Sequence, residues 1–506
     1  MRIALLNEGT YPVAKGGVST WCDQLLTHLP EHTFDVVTIV GLERTPVWDA
    51  PANVASTTCV PMWDAHVGTR PWRPRTTGRE LRRTREALRD LWAAVLPSNP
   101  ADPENIDRLR DALGRLAVPS YQALDWLLTQ TGSTRPILEA WQAHRVHVPG
   151  TPALTASDAA AAAVHADRAL ALMDADWPEV DVIHATSNGP AALMALARHW
   201  RTGTPLLLTE HGVFLRERYL ALHAAGWPWN VRYVLLAFLR SVCTLAYTDA
   251  EIIAPVNFFN GRWETRLGAD PERIQPVYNG VDPSLFPMLE SEPADPVVSF
   301  VGRIDPLKDL ATLIDAFALV MARVPDARLR LFGPVPAGNE AYHATLVEQV
   351  ALLGLGEVVT FEGPAPSARP AIEAGQVVAL SSISEGLPFT VLEAMMQGRP
   401  TVSTDVGGVA ECTGRDGAAG LIVPPREPAA MADALVTLLT DADARHAMGL
   451  AARERALEVF SLQVFADTYR AVYDDAAARA VSARVATLVP DRAGGVRAAA
   501  TVLEPA

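Results

Sequence analysis

The feature that most restricts this chain is a repeated alternation. Short apolar, β-branched runs are each followed by a turn and a stretch with helical spacing. In the N-terminal half the apolar runs fall at residues 2–6, 34–40, 180–185, 205–209 and 251–256, and residues 18–29 carry helical periodicity. Strands that are apolar on both faces and alternate with helices belong to a parallel sheet covered on both sides. A second series begins near Pro296, with strands at 297–301, 328–332, 358–361, 377–380 and 401–403 and a helix at 310–323. A chain of 506 residues exceeds one ordinary core. The pattern predicts an α/β protein of two Rossmann-like domains, 1–285 and 296–460, facing across a cleft. The acidic, proline-rich stretch 282–295 is the expected linker. Residues 43–150, rich in Arg, Pro and Trp, break the rhythm and read as a mostly helical insertion in the first domain. Residues 461–478 read as a C-terminal helix returning to that domain, and 480–506 as a disordered tail.

Composition removes several function classes. The net charge is −15 and no Lys/Arg stripe is present, so nucleic acid is not an expected partner. Cys22, Cys59, Cys243 and Cys412 stand far apart, without a Cys-x-x-Cys pair. That argues against a disulfide framework or zinc site and fits a reducing cytoplasm. The opening MRIALLNEG reads as a first strand and not as a leader. The apolar stretch 231–247 holds Arg232 and Arg240 and is expected to be a buried helix, so membrane association would come through a partner. Neither a Gly-x-Ser-x-Gly nucleophile turn nor a Walker-type Gly-Lys-Ser/Thr loop occurs.

Four loops, each directly after a predicted strand, carry the chemistry. The most informative is Ser384-Glu385-Gly386-Leu387-Pro388-Phe389-Thr390-Val391-Leu392-Glu393. Gly386 permits a tight turn, Pro388 suits the first helical position, and the N–H groups of Phe389 and Thr390 are then free at the helix start, where a phosphate binds. Glu385 and Glu393 flank that anion site and, when ionised, only accept hydrogen bonds, which suits sugar and ribose hydroxyls. The second loop, Gly302-Arg303-Ile304-Asp305-Pro306-Leu307-Lys308, offers a planar fork and a point charge for a diphosphate. The third is Lys15-Gly16-Gly17-Val18 and the fourth Thr209-Glu210-His211-Gly212. Taken singly, each has an ordinary structural explanation. Asp174-Ala175-Asp176, Asp441, Asp443, His165 and His184 read as structural, the Trp227-Pro228-Trp229 cluster reads as core packing with an acceptor platform as the alternative, and no metal site is expected.

The four motifs in this order resemble glycosyltransferase family 4, the retaining GT-B enzymes. Glu385 and Glu393 match its E-x7-E signature, Gly302-Arg303 with Lys308 its diphosphate clamp, Gly16-Gly17 its N-terminal glycine loop and His211 its active-site histidine. The resemblance implies a metal-independent, retaining glycosyltransferase without a cofactor, using a nucleoside-diphosphate sugar, UDP-sugar being the expectation, and a saccharide or other hydroxyl acceptor. It implies that Glu385, Arg303, Lys308 and His211 act in catalysis. Donor binding would fall to Gly16, Gly17, Arg303, Lys308, Glu385, Gly386, Leu387, Phe389, Thr390 and Glu393. Pro388 stands where many relatives have glycine and is assigned no phosphate contact. The stretches Leu6-Asn7-Glu8-Gly9-Thr10-Tyr11-Pro12 and Gly16-Gly17-Val18-Ser19-Thr20-Trp21 further resemble the Pel exopolysaccharide branch. That likeness implies a cytoplasmic enzyme working beside a membrane-embedded export partner. A sugar-nucleotide epimerase and a catalytically silent nucleotide-sugar-binding subunit are the competing readings.

Overall fold

The computed structural model describes residues 1–42, 44–63, 76–96, 102–117, 124–147 and 150–488. Two six-stranded parallel sheets organise the chain. The first comprises β1 (Arg2–Glu8), β2 (Thr33–Val40), β3 (Val54–Pro61), β4 (Val182–Ala185), β5 (Leu206–Glu210) and β6 (Ile252–Pro255), in the order β3-β2-β1-β4-β5-β6. The second comprises β7 (Val297–Val301), β8 (Arg328–Phe332), β9 (Val359–Gly363), β10 (Val377–Leu380), β11 (Thr401–Thr404) and β12 (Leu421–Val423), in the order β12-β11-β10-β7-β8-β9. Both are doubly wound, and the strand order reverses between β1 and β4 in one and between β7 and β10 in the other. Loops leave the carboxyl ends of those pairs in opposite directions, opening the crevice where ligands of this architecture bind.

Period-two side-chain alternation sorts the first sheet's core into two faces. Ala4 and Leu6 point to one side, with helices Pro190–Thr202 and Trp229–Asp249. Ile3 and Leu5 point to the other, with Trp21, Leu25, Tyr469 and Tyr473 from helices Gly17–His28 and Leu462–Leu488. The last helix therefore covers the N-terminal sheet, and the chain crosses back where Leu462 N donates to Val281 O at 3.0 Å. In the second sheet Val298, Phe300, Leu329 and Leu331 pack on helices Leu310–Met321 and Pro428–Thr440.

Three expectations change. The stretch 43–150 contains an edge strand, β3, paired with β2 over its whole length. The helical block starts later, at Gly78–Val95, and continues through Pro103–Ala117, Leu124–Thr131, Thr134–His147 and Ala156–Ala171. β3 is edge-exposed and rich in Ser and Thr, so it lacks the doubly apolar signature of its neighbours. β12, three residues long, also escapes sequence reading. The final helix runs to Leu488, past the point where the tail was expected to begin; residues 489–506 lie outside the described residues.

The helix Trp229–Asp249 is long and apolar enough to cross a membrane by length and composition. Here it is a core element, with Val234, Leu235, Phe238, Val242 and Leu245 buried against the helical block and the sheet.

Candidate functional site

At the C-terminal switch point the loops after β7 and β10 are stitched together. Ser381 Oγ donates to Lys308 O at 2.8 Å, Ile383 N to Leu307 O at 2.9 Å and Thr390 Oγ1 to Val301 O at 3.1 Å. Asp305 caps the short turn Pro306–Lys308 by accepting from Leu307 N at 2.9 Å, and Asp309, in the left-handed region at φ 46°, turns the chain into helix Leu310–Met321. This fixes Lys308 Nζ 2.6 Å from Glu385 Oε1, which also accepts from the Ser382 hydroxyl. The pair is largely enclosed, with side chains 20% and 11% exposed, so solvent screens it less than a surface pair. Arg303, in the same loop as Lys308, is exposed and has no partner among the described residues.

The helix Phe389–Met396 starts immediately after this pair. Pro388 is its N-cap residue and not its first helical residue, as the sequence had indicated. Among the described residues no acceptor meets the N–H groups of Phe389 and Thr390, which leaves an open helix start, the kind of place that favours anions, beside Lys308. One turn on, the half-buried Glu393 carboxyl has no partner among the described residues, and burial pushes it up to about 7. Leu387 packs its side chain into the core and its carbonyl accepts from Asn279 Nδ2 at 2.9 Å, so neither faces the crevice as a polar group.

Across the crevice, β5 delivers Glu210 and His211. The His211 ring meets the edge of Trp21 at 4.8 Å. Its Nε2 is buried without a hydrogen-bond partner among the described residues, and burial lowers the imidazole to about 3, so the ring is neutral. Glu210 is fully buried beneath it, accepts from the Tyr247 hydroxyl and is pushed up to about 8 by burial.

The two halves meet at these residues. A Cβ on Gly386 would lie 1.9 Å from His211 O, so only glycine allows this approach. Gly17 stands against the Phe389 ring, 3.8 Å from where its own Cβ would be, while Gly16, just before the helix, has open space. Glu411 accepts from Phe258 N and Phe259 N at 2.8 Å each, capping an N-domain helix from the C-domain. The structure thus brings Gly17, His211, Gly386 and Phe389 together, with Lys308, Glu385 and Thr390 just behind.

Sequence reading missed the other wall. A 260 Å³ pocket opens beside His211 and is lined by Glu8, Thr10, Thr186, Ser187, Glu217 and Arg218, among others. The hydroxyls of Thr186 and Ser187 are buried and unpartnered among the described residues. Burial pushes the Glu8 and Glu217 carboxyls upward, with Arg218 opposing the shift. The available signal was positional: Glu8 ends β1, and Thr186 and Ser187 follow β4, both at the N-terminal switch point.

Four of the residues set aside from the site in the sequence have structural partners. Asp174 accepts from Leu124 N, Asp176 pairs with Arg198 at 2.7 Å, and Asp441 caps helix Ala442–Val459. His184 bridges Tyr473 Oη and Thr209 Oγ1, each at 2.8 Å, inside the core. Among the described residues no group of three or more His, Cys, Asp or Glu side chains is placed to hold a metal ion.

Two doubly wound domains meeting over a cation, a carboxylate and an open helix start define the GT-B class of architecture. The chain belongs to the family described as a domain of unknown function, DUF3492, whose model matches residues 1–272, and residues 295–441 match the family Glycosyl transferases group 1. It is similar to a D-inositol 3-phosphate glycosyltransferase of Nocardia farcinica, 39% identical over 199 residues, 37% of this chain and 44% of that protein. The chain spans about half the length of the curated relatives it matches. Its fold resembles Anabaena HepE solved in complex with UDP, at a TM-score of 0.59 and 16% identity over 94% of this chain and 100% of that one. It also resembles sucrose-phosphate synthase of Thermosynechococcus elongatus, at 0.61 and 17% over 96% and 99%. At such identities these two establish the fold.

Proposed function

We propose that this protein transfers a glycosyl group from a nucleoside-diphosphate sugar to a hydroxyl acceptor. The observation that carries this reading is the Lys308–Glu385 pair at 2.6 Å beside the open start of helix Phe389–Met396. Departure of a diphosphate from an oxocarbenium-like carbon builds negative charge at one place. Lys308, Arg303 and the Phe389 and Thr390 N–H groups are fixed dipoles and charges around such a place, which is the most effective form of transition-state stabilisation. These groups supply positive charge from the protein itself, and the reaction is proposed to run without a metal. Glu385 reads donor-sugar hydroxyls with its second oxygen, and Glu393 the ribose. His211, neutral, donates or accepts a hydrogen bond at the transferred sugar. A diphosphate oxygen takes the acceptor's proton on the face where the acceptor attacks, which gives retention without a protein nucleophile.

UDP-sugar is the proposed donor, supported by the family resemblance and by UDP in the fold relative. Exopolysaccharide synthesis in the cytoplasm is the proposed setting, supported by the β1-to-Trp21 segment that resembles the Pel branch; a membrane export partner belongs to that setting. The acceptor-side half carries a family model without a stated function, so the inositol phosphate acceptors named for the curated relatives are not carried over.

Incubation with UDP-, GDP- and ADP-sugars, with and without glycoside acceptors, tests the reading. Acceptor-stimulated release of nucleoside diphosphate that survives EDTA is expected. Isomer interconversion of the donor would instead establish an epimerase, and tight binding without turnover a silent subunit.

A further inference from the structure

The polar pocket beside His211 does not end at the helical block. A second cavity of 220 Å³ shares Glu8, Phe214 and Arg218 with it and lies against the helical block. Its walls are Met62, Trp63, Ala169, Leu235, Phe238 and Leu239, from the end of β3, helix Ala156–Ala171 and helix Trp229–Asp249. His165, its one imidazole, is held edge-on between Trp63 at 4.9 Å and Trp227 at 4.8 Å.

The threshold between the cavities is built. The Arg218 guanidinium lies over the Phe214 ring, 5.4 Å from its centroid. Phe214 in turn sits on Gly189, at φ 82°, so closely that a Cβ there would be 2.2 Å from the ring. On the crevice side of that threshold stand Thr10, Thr186, Ser187 and Glu217; beyond it the lining is aliphatic and aromatic.

We infer that the acceptor is an amphipathic glycoside, with its saccharide end in the polar chamber at His211 and a short apolar aglycone in the chamber beyond Phe214 and Arg218. This rests on the transferase reading above. Sugar hydroxyls placed in the second chamber would lose water and find few partners, whereas an alkyl or aryl group loses nothing there. An apolar cavity of about 150 Å³ takes a benzene ring; the chamber here has room for an aryl group or a short alkyl chain. The two chambers together reach the ordinary size of a small-molecule pocket, about 300–1,000 Å³. Carboxyls at Glu8 and Glu217 against the single Arg218 also make the polar chamber a poor site for a phosphorylated acceptor.

Titration calorimetry on the full chain, with methyl, phenyl and hexyl glycosides of glucose, galactose and N-acetylglucosamine, tests this. Each buried methylene tightens binding about fourfold, so the hexyl or phenyl member should bind at least about tenfold tighter than the methyl member of the same sugar. A hexyl advantage identifies a lipid-like aglycone and a phenyl advantage an aromatic one. Ala221→Phe, on an exposed position that lines the apolar chamber, should erase the advantage and leave UDP binding unchanged; Leu222→Gln, at a second lining position, should do the same. Equal affinity of all three members, or an advantage that survives both substitutions, overturns the inference. UDP titrated in parallel reports on the donor side: failure to bind UDP, GDP or ADP sinks the transferase reading whatever the glycosides do.

Discussion

Gly386 of the C-terminal domain rests on the backbone carbonyl of His211 in the N-terminal domain, with a distance of only 1.9 Å from that oxygen to the place a Cβ would occupy. The same contact joins the loop after β10 to the end of β5, next to the neutral histidine. Gly386→Ala must therefore push the two domains apart or twist the Glu385 loop. Because misplacement of about 1 Å can cost 10²-fold, turnover should fall by about that factor while thermal unfolding of each domain changes little. Crystallography or small-angle scattering should show a wider crevice. Unchanged turnover would mean that the closed contact is not the working arrangement.

Glu393 gives a pH dependence with a definite sign. Its folded pKa is raised to about 7 by burial, so below pH 7 the carboxyl is mostly protonated and, in the proposed role, must lose its proton to accept two ribose hydroxyls. Nucleoside-diphosphate affinity should weaken about tenfold between pH 8 and pH 6 by this linkage. The phosphate titrates too, so the comparison is with Glu393→Gln, in which the additional slope disappears. Calorimetry across that range, reading Kd and proton release together, checks it.

The two glutamates should separate by ligand. Hydrogen bonds to a charged group are worth about 1.5–3 kcal/mol. Glu393→Gln should weaken free nucleoside diphosphate as much as the intact nucleotide sugar, while Glu385→Gln should weaken chiefly the nucleotide sugar. Equal losses on both ligands for Glu385→Gln would remove its role in reading the sugar.

His211 is set up to hold and not to titrate, since burial lowers its imidazole to about 3. His211→Ala should lower kcat without moving either limb of the pH–rate profile between pH 5 and 9. A limb lost with the histidine would show that it exchanges a proton in the reaction.

How much of this was legible in the sequence varies with the physical origin of each element. β1, β2 and β7 declare themselves because both faces are buried and most of their residues are apolar. β3 hides because it is an edge strand with no fully buried residue, and its Ser and Thr residues break the apolar run. The loop residues Lys308 and Glu385 could be named from spacing after strands, but their ion pair could not. It depends on strand adjacency of β7 and β10, which are about 75 residues apart in the chain and hydrogen-bonded only in the sheet. Thr186 and Ser187 carry no motif, and Glu8 stands in a stretch quoted only for its likeness to the Pel branch and given no role; each is made special by sitting at the N-terminal switch point, and Glu217 and Arg218 reach it from helix Phe214–Ala224, after β5. The Glu393 pKa belongs to the same class, since burial is a tertiary property.

The most direct test of glycosyl transfer at the Lys308–Glu385 site is single-turnover release of nucleoside diphosphate, measured for the wild type and Lys308→Met with saturating donor and acceptor. Loss of one preorganised charge at a leaving group costs about 10²–10³ in rate. The predicted result is a drop of that size, with donor still bound and the fold intact. Release by Lys308→Met within about threefold of the wild type, less than 1 kcal/mol of transition-state stabilisation, would contradict the assignment.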